Sequence, residues 1–248
     1  MPETDDGNAT ILLVEDERIV ALHERMLLEK HGYTVRVAST GEEAVELAGN
    51  SGIDLVLMDI DLGSGMDGTE AARIIRTTHD IPITFLSSHT EPEVVKRTEG
   101  ITAYGYIVKN SGETVLLASV RMALRLHSSD RRFKDLLAGI PEVAVQGYAG
   151  DGTAIFWNAA SEQLYGYSAG EALGKPLWEL IIPPEIAEDV RKAVSNMTQR
   201  GTPNPPETLR LMRKDGSRVY VRSNHGITQN LRGENELFCF DVPLPTEE

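Results

Sequence analysis

Four short apolar runs in this chain each stop at a residue with chemistry to offer. Ile11 to Val14 runs into Glu15-Asp16, Leu55 to Met58 into Asp59, Ile83 to Leu86 into Ser87, and Tyr106 to Val108 into Lys109. Apolar runs of this length with no polar alternation read as fully buried parallel strands, because helices on both faces leave such strands no wet side. The predicted fold is therefore an α/β doubly wound sheet. Ligands of an open parallel sheet bind beyond the carboxyl ends of its strands. Three carboxylates, a hydroxyl and an ammonium thus meet at one rim.

That set is equipped to handle a phosphoryl group together with a divalent cation. Clustered carboxylates repel one another, and a bound cation or a lysine favours their charged forms. Hard cations take oxygen ligands, and Mg2+ keeps several waters while using one or two carboxylates and phosphate oxygens. Glu15, Asp16 and Asp59 are the expected Mg2+ ligands, with Asp61 a further candidate. A carboxylate can attack phosphorus, the protein's task then being positioning and charge stabilisation. Asp59 is the expected nucleophile, Lys109 neutralises the phosphoryl oxygens, and the Ser87 hydroxyl donates to one of them.

Rival readings exist at the same residues. Gly63, Gly65 and Gly68 spell G-x-G-x-x-G between a strand and an amphipathic helix, the context of a dinucleotide fingerprint. Against it, Asp59 and Asp61 would face the pyrophosphate, and the next strand ends in Leu86-Ser-Ser-His without an acid for a ribose. Asp59-Ile-Asp61 also resembles the DxD signature of haloacid dehalogenase-type phosphatases, but that family needs acidic ligands downstream of the lysine, whereas Glu15-Asp16 lies upstream. His23-Glu-Arg25 is similar to a kinase phosphohistidine box, yet it sits in an amphipathic helix with no ATP-binding region after it. Taken singly, Asp59 would be a cap or turn residue and Tyr106 a plain core aromatic.

Residues 9 to 127 resemble the receiver domain of two-component response regulators. The resemblance places Glu15-Asp16 on the acidic pair, Asp59 on the phosphoacceptor, Ser87 on the hydroxyl position, Tyr106 on the aromatic switch and Lys109 on the lysine. It implies a flavodoxin-like five-stranded parallel sheet, Mg2+ as cofactor, and a histidine kinase or phosphotransfer protein as partner. It also implies that Asp61 and His89, two residues beyond Asp59 and Ser87, tune access of the hydrolytic water. Asn110 replaces the usual proline after the lysine, where a cis bond would cost about 2.5 to 4 kcal/mol. The loop Asp59 to Gly68 is longer than usual and lacks Met-Pro.

A length of 248 residues suits one or two domains. No stretch approaches the roughly 20 apolar residues of a membrane span, and the polar opening Met1 to Thr10 lacks a signal peptide's apolar region. The single cysteine, Cys239, excludes an internal disulfide or CxxC metal site and suits a reducing cytoplasm. A net charge of −14 argues against nonspecific nucleic-acid binding.

From 112 to 140, Val115, Leu116, Val120, Ala123 and Leu124, then Phe133, Leu136, Leu137 and Ile140, keep helical spacing around the polar Ser128-Ser-Asp-Arg-Arg132. The pattern predicts the last receiver helix, then a break or a continuation, then a second amphipathic helix that Asp130 could cap. Its stripe serves either intramolecular packing or pairing with a second subunit. Beyond it come strand, turn and strand over Tyr148 to Trp157, short helices to Gly174, a helix from Glu185 to Gln199, and strands at Thr208 to Met212, Val219 to Asn224 and Leu237 to Asp241. Through Trp157-Asn-Ala-Ala-Ser-Glu-Gln-Leu-Tyr-Gly-Tyr-Ser168, Glu171, Gly174-Lys-Pro176, Leu180-Ile181 and Arg213-Lys-Asp-Gly-Ser217, residues 133 to 242 resemble a PAS domain, an α+β fold with an antiparallel sheet. Such domains hold flavin, haem, metabolites or only other proteins. A flavin adduct lacks its thiol here and a haem its helical histidine, since Cys239 and His225 lie on strands. Trp157, Tyr165, Tyr167 and Trp178 read as core filling or as cavity walls.

The expectation is a cytoplasmic protein with a receiver over 1–127, a helical linker over 128–140 and a PAS domain over 141–248. It would be a phosphoacceptor with self-dephosphorylation rather than a dedicated enzyme. Ser87 and Tyr106 would switch together, and output would pass by protein contact, with a homodimer through linker and PAS domain as one route. The alternatives are a PAS ligand or redox sensor that controls receiver phosphorylation, and an effector beyond Glu248.

Overall fold

The computed structural model describes residues 9–50, 52–63, 65–88 and 104–245. The chain forms two compact units, Met1–Arg131 and Arg132–Glu248.

In the first unit, strands β1 (Thr10–Val14), β2 (Thr34–Ala38), β3 (Leu55–Asp59), β4 (Ile83–Ser87) and β5 (Tyr106–Val108) form a parallel sheet in the order β2-β1-β3-β4-β5. The helices are α1 (Arg18–Lys30), α2 (Gly41–Ala48), α3 (Gly68–Thr78) and, as far as Arg131, α4 (Glu113–Ala138). Each apolar run splits its residues between two cores, because successive strand side chains point to opposite faces. Leu12, Val14, Val56, Met58 and Phe85 pack with Ala44, Ala71 and Ile75 from α2 and α3. Ile11, Leu13, Leu55, Leu57 and Leu86 pack instead with Leu28 of α1 and Leu117 and Val120 of α4. Burial on both faces is what forbids polar alternation and leaves the strand ends as the place for chemistry.

Helix α4 runs unbroken from Glu113 to Ala138. The polar stretch Ser128 to Arg132 lacks Gly and Pro, and its residues cost a helix only tenths of a kcal/mol each, so it does not end the helix. Asp130 accordingly lies inside a helix rather than capping a second one.

The second unit is an antiparallel sheet ordered β7-β6-β10-β9-β8, built from β6 (Ala144–Tyr148), β7 (Ala154–Trp157), β8 (Glu207–Met212), β9 (Arg218–Gln229) and β10 (Asn235–Pro243). Short helices α5 (Ala159–Tyr165), α6 (Ala169–Ala172) and α7 (Leu177–Leu180), then the longer α8 (Ala187–Arg200), supply the helical layer. One sheet face packs Tyr148, Leu237, Leu211 and Val221 against Leu180, Val194 and Met197. The other packs Val145 and Phe238 against Leu137, with Phe133 edge-on to Phe238 at 5.6 Å between ring centroids. Asn158 caps α5 by accepting from Ser161 N. Its Oδ1 also accepts from Val145 N of β6 at 3.0 Å, so one buried side chain ties a helix start to the sheet.

Candidate functional site: an acidic cluster under a lysine

The parallel strands deliver their terminal residues to one end of the first sheet. Glu15 follows β1 and Asp59 ends β3, and they are 1% and 4% exposed. Lys109, just beyond β5, reaches both: its Nζ lies 2.6 Å from Asp59 Oδ2 and 2.5 Å from Glu15 Oε2. The remaining oxygens are held by main chain, Glu15 Oε1 accepting from Glu17 N at 3.2 Å and Asp59 Oδ1 from Asp61 N at 3.2 Å. Ser87 is fully buried at the end of β4. Its carbonyl accepts from Lys109 N at 2.7 Å, which locks the lysine's loop to the hydroxyl's strand. Tyr106 opens β5, paired with Phe85 and half-buried against the core on the α2–α3 side.

Oxygens of Glu15, Asp16 and Asp59 lie within 4.8 Å of one another. This all-oxygen donor set, with Asp16 exposed and the other two buried, fits a hard cation such as Mg2+, which binds through few carboxylates and keeps waters. Asp61 is not part of that group: its main chain turns back to Asp59, and the residue is exposed. His89 lies outside the described residues.

The electrostatics follow from burial. Desolvation pushes the Glu15 and Asp59 carboxyls above their ordinary range, and the hydrogen bonds and charge of Lys109 oppose it. Burial alone would lower the lysine, but its bonds to Asp59 and Glu15 outweigh that and hold it above its usual value, firmly charged. Sequence reasoning missed Glu24 of α1. It is 9% exposed, its Oε2 lacks a hydrogen-bond partner, and burial followed by the charge of Glu15 pushes it up to about 7. Its signal was a glutamate at a helical spacing shared with apolar Val20, Leu27 and Leu28.

The glycines of the β3–α3 loop have a structural purpose. A Cβ on Gly68 would sit 1.8 Å from the Asp59 carbonyl oxygen, and one on Gly63 would sit 3.0 Å from Asp16 Oδ2. Gly65 takes φ +102°, a conformation that L side chains rarely adopt. Glu42 of α2 pins the loop by accepting from Met66 N at 2.9 Å. Close approach to an acidic site, rather than a pyrophosphate cradle, accounts for the G-x-G-x-x-G spacing. No cis peptide occurs among the described residues, and Asn110 follows Lys109 at φ 65°, a region asparagine tolerates.

Residues 11–121 match the response regulator receiver domain family and 143–242 the PAS domain family. The transcriptional regulatory protein PdtaR of Mycobacterium tuberculosis (strain CDC 1551 / Oshkosh) is 32% identical over 147 residues, 58% of this chain and 68% of that protein. The transcriptional regulatory protein YvrH of Bacillus subtilis (strain 168) is 34% identical over 119 residues, 48% of this chain, and the match spans only 50% of that protein. Among solved structures, the N-terminal domain of a response regulator/sensory box/GGDEF 3-domain protein from Carboxydothermus hydrogenoformans is 47% identical, with a TM-score of 0.47, covering 49% of this chain and 98% of that one. No helix among the described residues is long and apolar enough to cross a membrane. With its acidic site at the strand ends and its sheet order in place, the chain belongs to the response regulator receiver family and carries a PAS domain after the receiver.

Proposed function

We propose that Asp59 accepts a phosphoryl group from the phosphohistidine of a histidine kinase or phosphotransfer protein, and that the PAS domain is the sensory or interaction module coupled to it. The observation that carries this is the single ammonium of Lys109 bonded to both Asp59 and Glu15, with Asp16 oxygens inside the same cluster. In the transfer, an Asp59 oxygen bonds to phosphorus as the P–N bond of phosphohistidine breaks, and the imidazole keeps the electron pair and takes a proton. Mg2+, held by Glu15, Asp16 and Asp59, would neutralise phosphoryl oxygens. Lys109 would follow the charge from carboxylate to phosphoryl group. Ser87 would donate its hydroxyl to a phosphoryl oxygen, and Tyr106, on the neighbouring strand, would repack with it. Exposed Asp61 would orient the hydrolytic water, with His89 as its proposed companion.

The test is incubation with acetyl phosphate, with and without Mg2+, read by intact-protein mass spectrometry. The parent should gain an acid-labile mass of roughly 80 Da only with Mg2+, and Asp59→Asn should gain none. An adduct that persists in the Asn variant overturns the assignment.

A further inference from the structure

The second unit buries more polar chemistry than its fold requires. Strand register places Gln146 of β6 opposite Cys239 of β10, and Cys239 opposite His225 of β9. The next rung aligns Ala144, Asp241 and Ser223 in the same way. Tyr148 stands two residues along β6 from Gln146 and so on the same face. A sheet face under helices is ordinarily apolar, yet Gln146, Tyr148, Ser223 and Asp241 are each at most 1% exposed. Gln146 Oε1, Tyr148 Oη, His225 Nδ1 and Asp241 Oδ1 are buried with no hydrogen-bond partner in the protein. A buried polar group left without a partner forfeits its hydration and gains nothing in return, so four on one face point to something that satisfies them.

These residues line a cavity of about 70 Å³, walled on the helical side by Ile181, Val194 and Met197. One water needs at least 10 to 15 Å³ by the same measure, so the space takes about five non-hydrogen atoms. Its lining includes the carboxylates of Asp241 and Glu207 and no lysine or arginine, with His225 as its one basic side chain, so the acidic groups outnumber the basic one and favour a cation. The unmatched groups are chiefly acceptors: a carboxylate oxygen, an amide oxygen, and a phenol and an imidazole nitrogen that can each accept. Tyr165 already donates to Asp241 Oδ2 at 2.6 Å, which leaves Oδ1 for a ligand.

We propose that this cavity binds a small primary ammonium compound, its N–H groups donating to Asp241, Gln146 and Tyr148 and its short hydrocarbon tail lying against the helical wall. Burial holds the Asp241 carboxyl above the usual carboxylate range. A bound ammonium supplies the opposite charge that an ionised buried carboxylate requires. Cys239 shares the face, but burial pushes its thiol well up, which makes it an inert wall rather than a redox centre. The inference rests on reading the second unit as a sensory module and needs nothing of the chemistry at Asp59.

The chain's two tryptophans, Trp157 and Trp178, both belong to this unit, and the Trp157 ring lies 5.8 Å from that of Tyr165. Tryptophan fluorescence of the full chain therefore reads this unit directly. The probes are n-butylammonium, butan-1-ol and butyrate. n-Butylammonium should saturate at a concentration at least about tenfold below butan-1-ol, butyrate should have no effect, and Asp241→Asn should cost about tenfold or more in ammonium affinity. Tyr148→Phe, which keeps the ring and loses only the hydroxyl, should weaken ammonium binding while retaining the parent's unfolding transition, so the test survives if the Asp241 variant fails to fold. Equal binding of alcohol and ammonium would overturn the ammonium assignment and leave a ligand cavity. Saturable binding of none of the three would mean that water alone fills it, overturning the ligand site as well, and neither outcome bears on acetyl phosphate labelling of Asp59.

Discussion

Replacing Glu24 with glutamine should make the receiver more stable at pH 8 and leave it unchanged at pH 4. Glu24 is buried in α1, and burial, with the charges of Glu15 and Asp59 only partly offset by Lys109, raises its carboxyl from an ordinary 4.5 to about 7. The folded state thus holds this proton more tightly than the unfolded chain does. Its contribution is fully present below pH 4.5 and is lost as pH rises through about 7. At about 1.4 kcal/mol per pH unit, the loss is about 3 kcal/mol. Glutamine matches the protonated acid in shape and never ionises, so Glu24→Gln should recover most of that at pH 8. Mg2+ should shrink the difference, because a cation at Glu15 and Asp59 offsets the charges that Glu24 feels. The assay is urea unfolding by circular dichroism at both pH values. Tryptophan fluorescence marks the PAS transition, since both tryptophans lie there, and the remaining transition belongs to the receiver. Equal stabilisation at pH 4 and pH 8, or none at pH 8, would refute the reasoning.

Two further outcomes follow from the geometry. Gly68→Ala puts a Cβ 1.8 Å from the Asp59 carbonyl oxygen, so the start of α3 must shift at a cost of about 1 to 3 kcal/mol or more, and an unchanged receiver unfolding midpoint would show that this close approach is not needed. The proposed homodimer through the linker should weaken roughly tenfold in Leu136→Ser, measured by sedimentation equilibrium, because Val115, Met122 and Leu136 recur at heptad positions of α4 and are 45%, 63% and 68% exposed; a monomeric parent, or a variant that dimerises as well as the parent, would remove the linker from that role.

The receiver site was legible because its code is local. Glu15, Asp59, Ser87 and Lys109 each directly follow an apolar run, so the run gives the strand and the residue after it gives the candidate site. The linker was less so. Leu124 and Leu136 share one helical stripe in the sequence, but Leu124 packs into the receiver core whereas Leu136 is exposed, and helical spacing alone cannot say which part of a stripe finds a partner within its own chain. Likewise β9 and β10 reach Gln229 and Pro243, well past the runs Val219 to Asn224 and Leu237 to Asp241. Gly226, Thr228 and Gln229 dilute the apolar pattern, while the ladder between Asn235–Gln229 and Pro243–Val221 extends the strands regardless.

The polar face of the PAS sheet was invisible for a related reason. Gln146, His225 and Asp241 sit far apart in the sequence, Gln146 lies before the first predicted strand of this domain, and nothing in the local pattern brings the three together. Only the register stacks Gln146 with Cys239 and His225 and sets Asp241 beside Ser223. A slip of one residue would turn the whole set outward, where it would need no explanation. Apolar Val145, Phe238 and Phe240 on the opposite face prevent that slip, because they pack with Leu137 and the surrounding cluster and would be expelled from it. The face that specifies the fold thereby holds the polar face inward against its own desolvation cost, and a sheet under that opposition has room to bind what the polar residues lack.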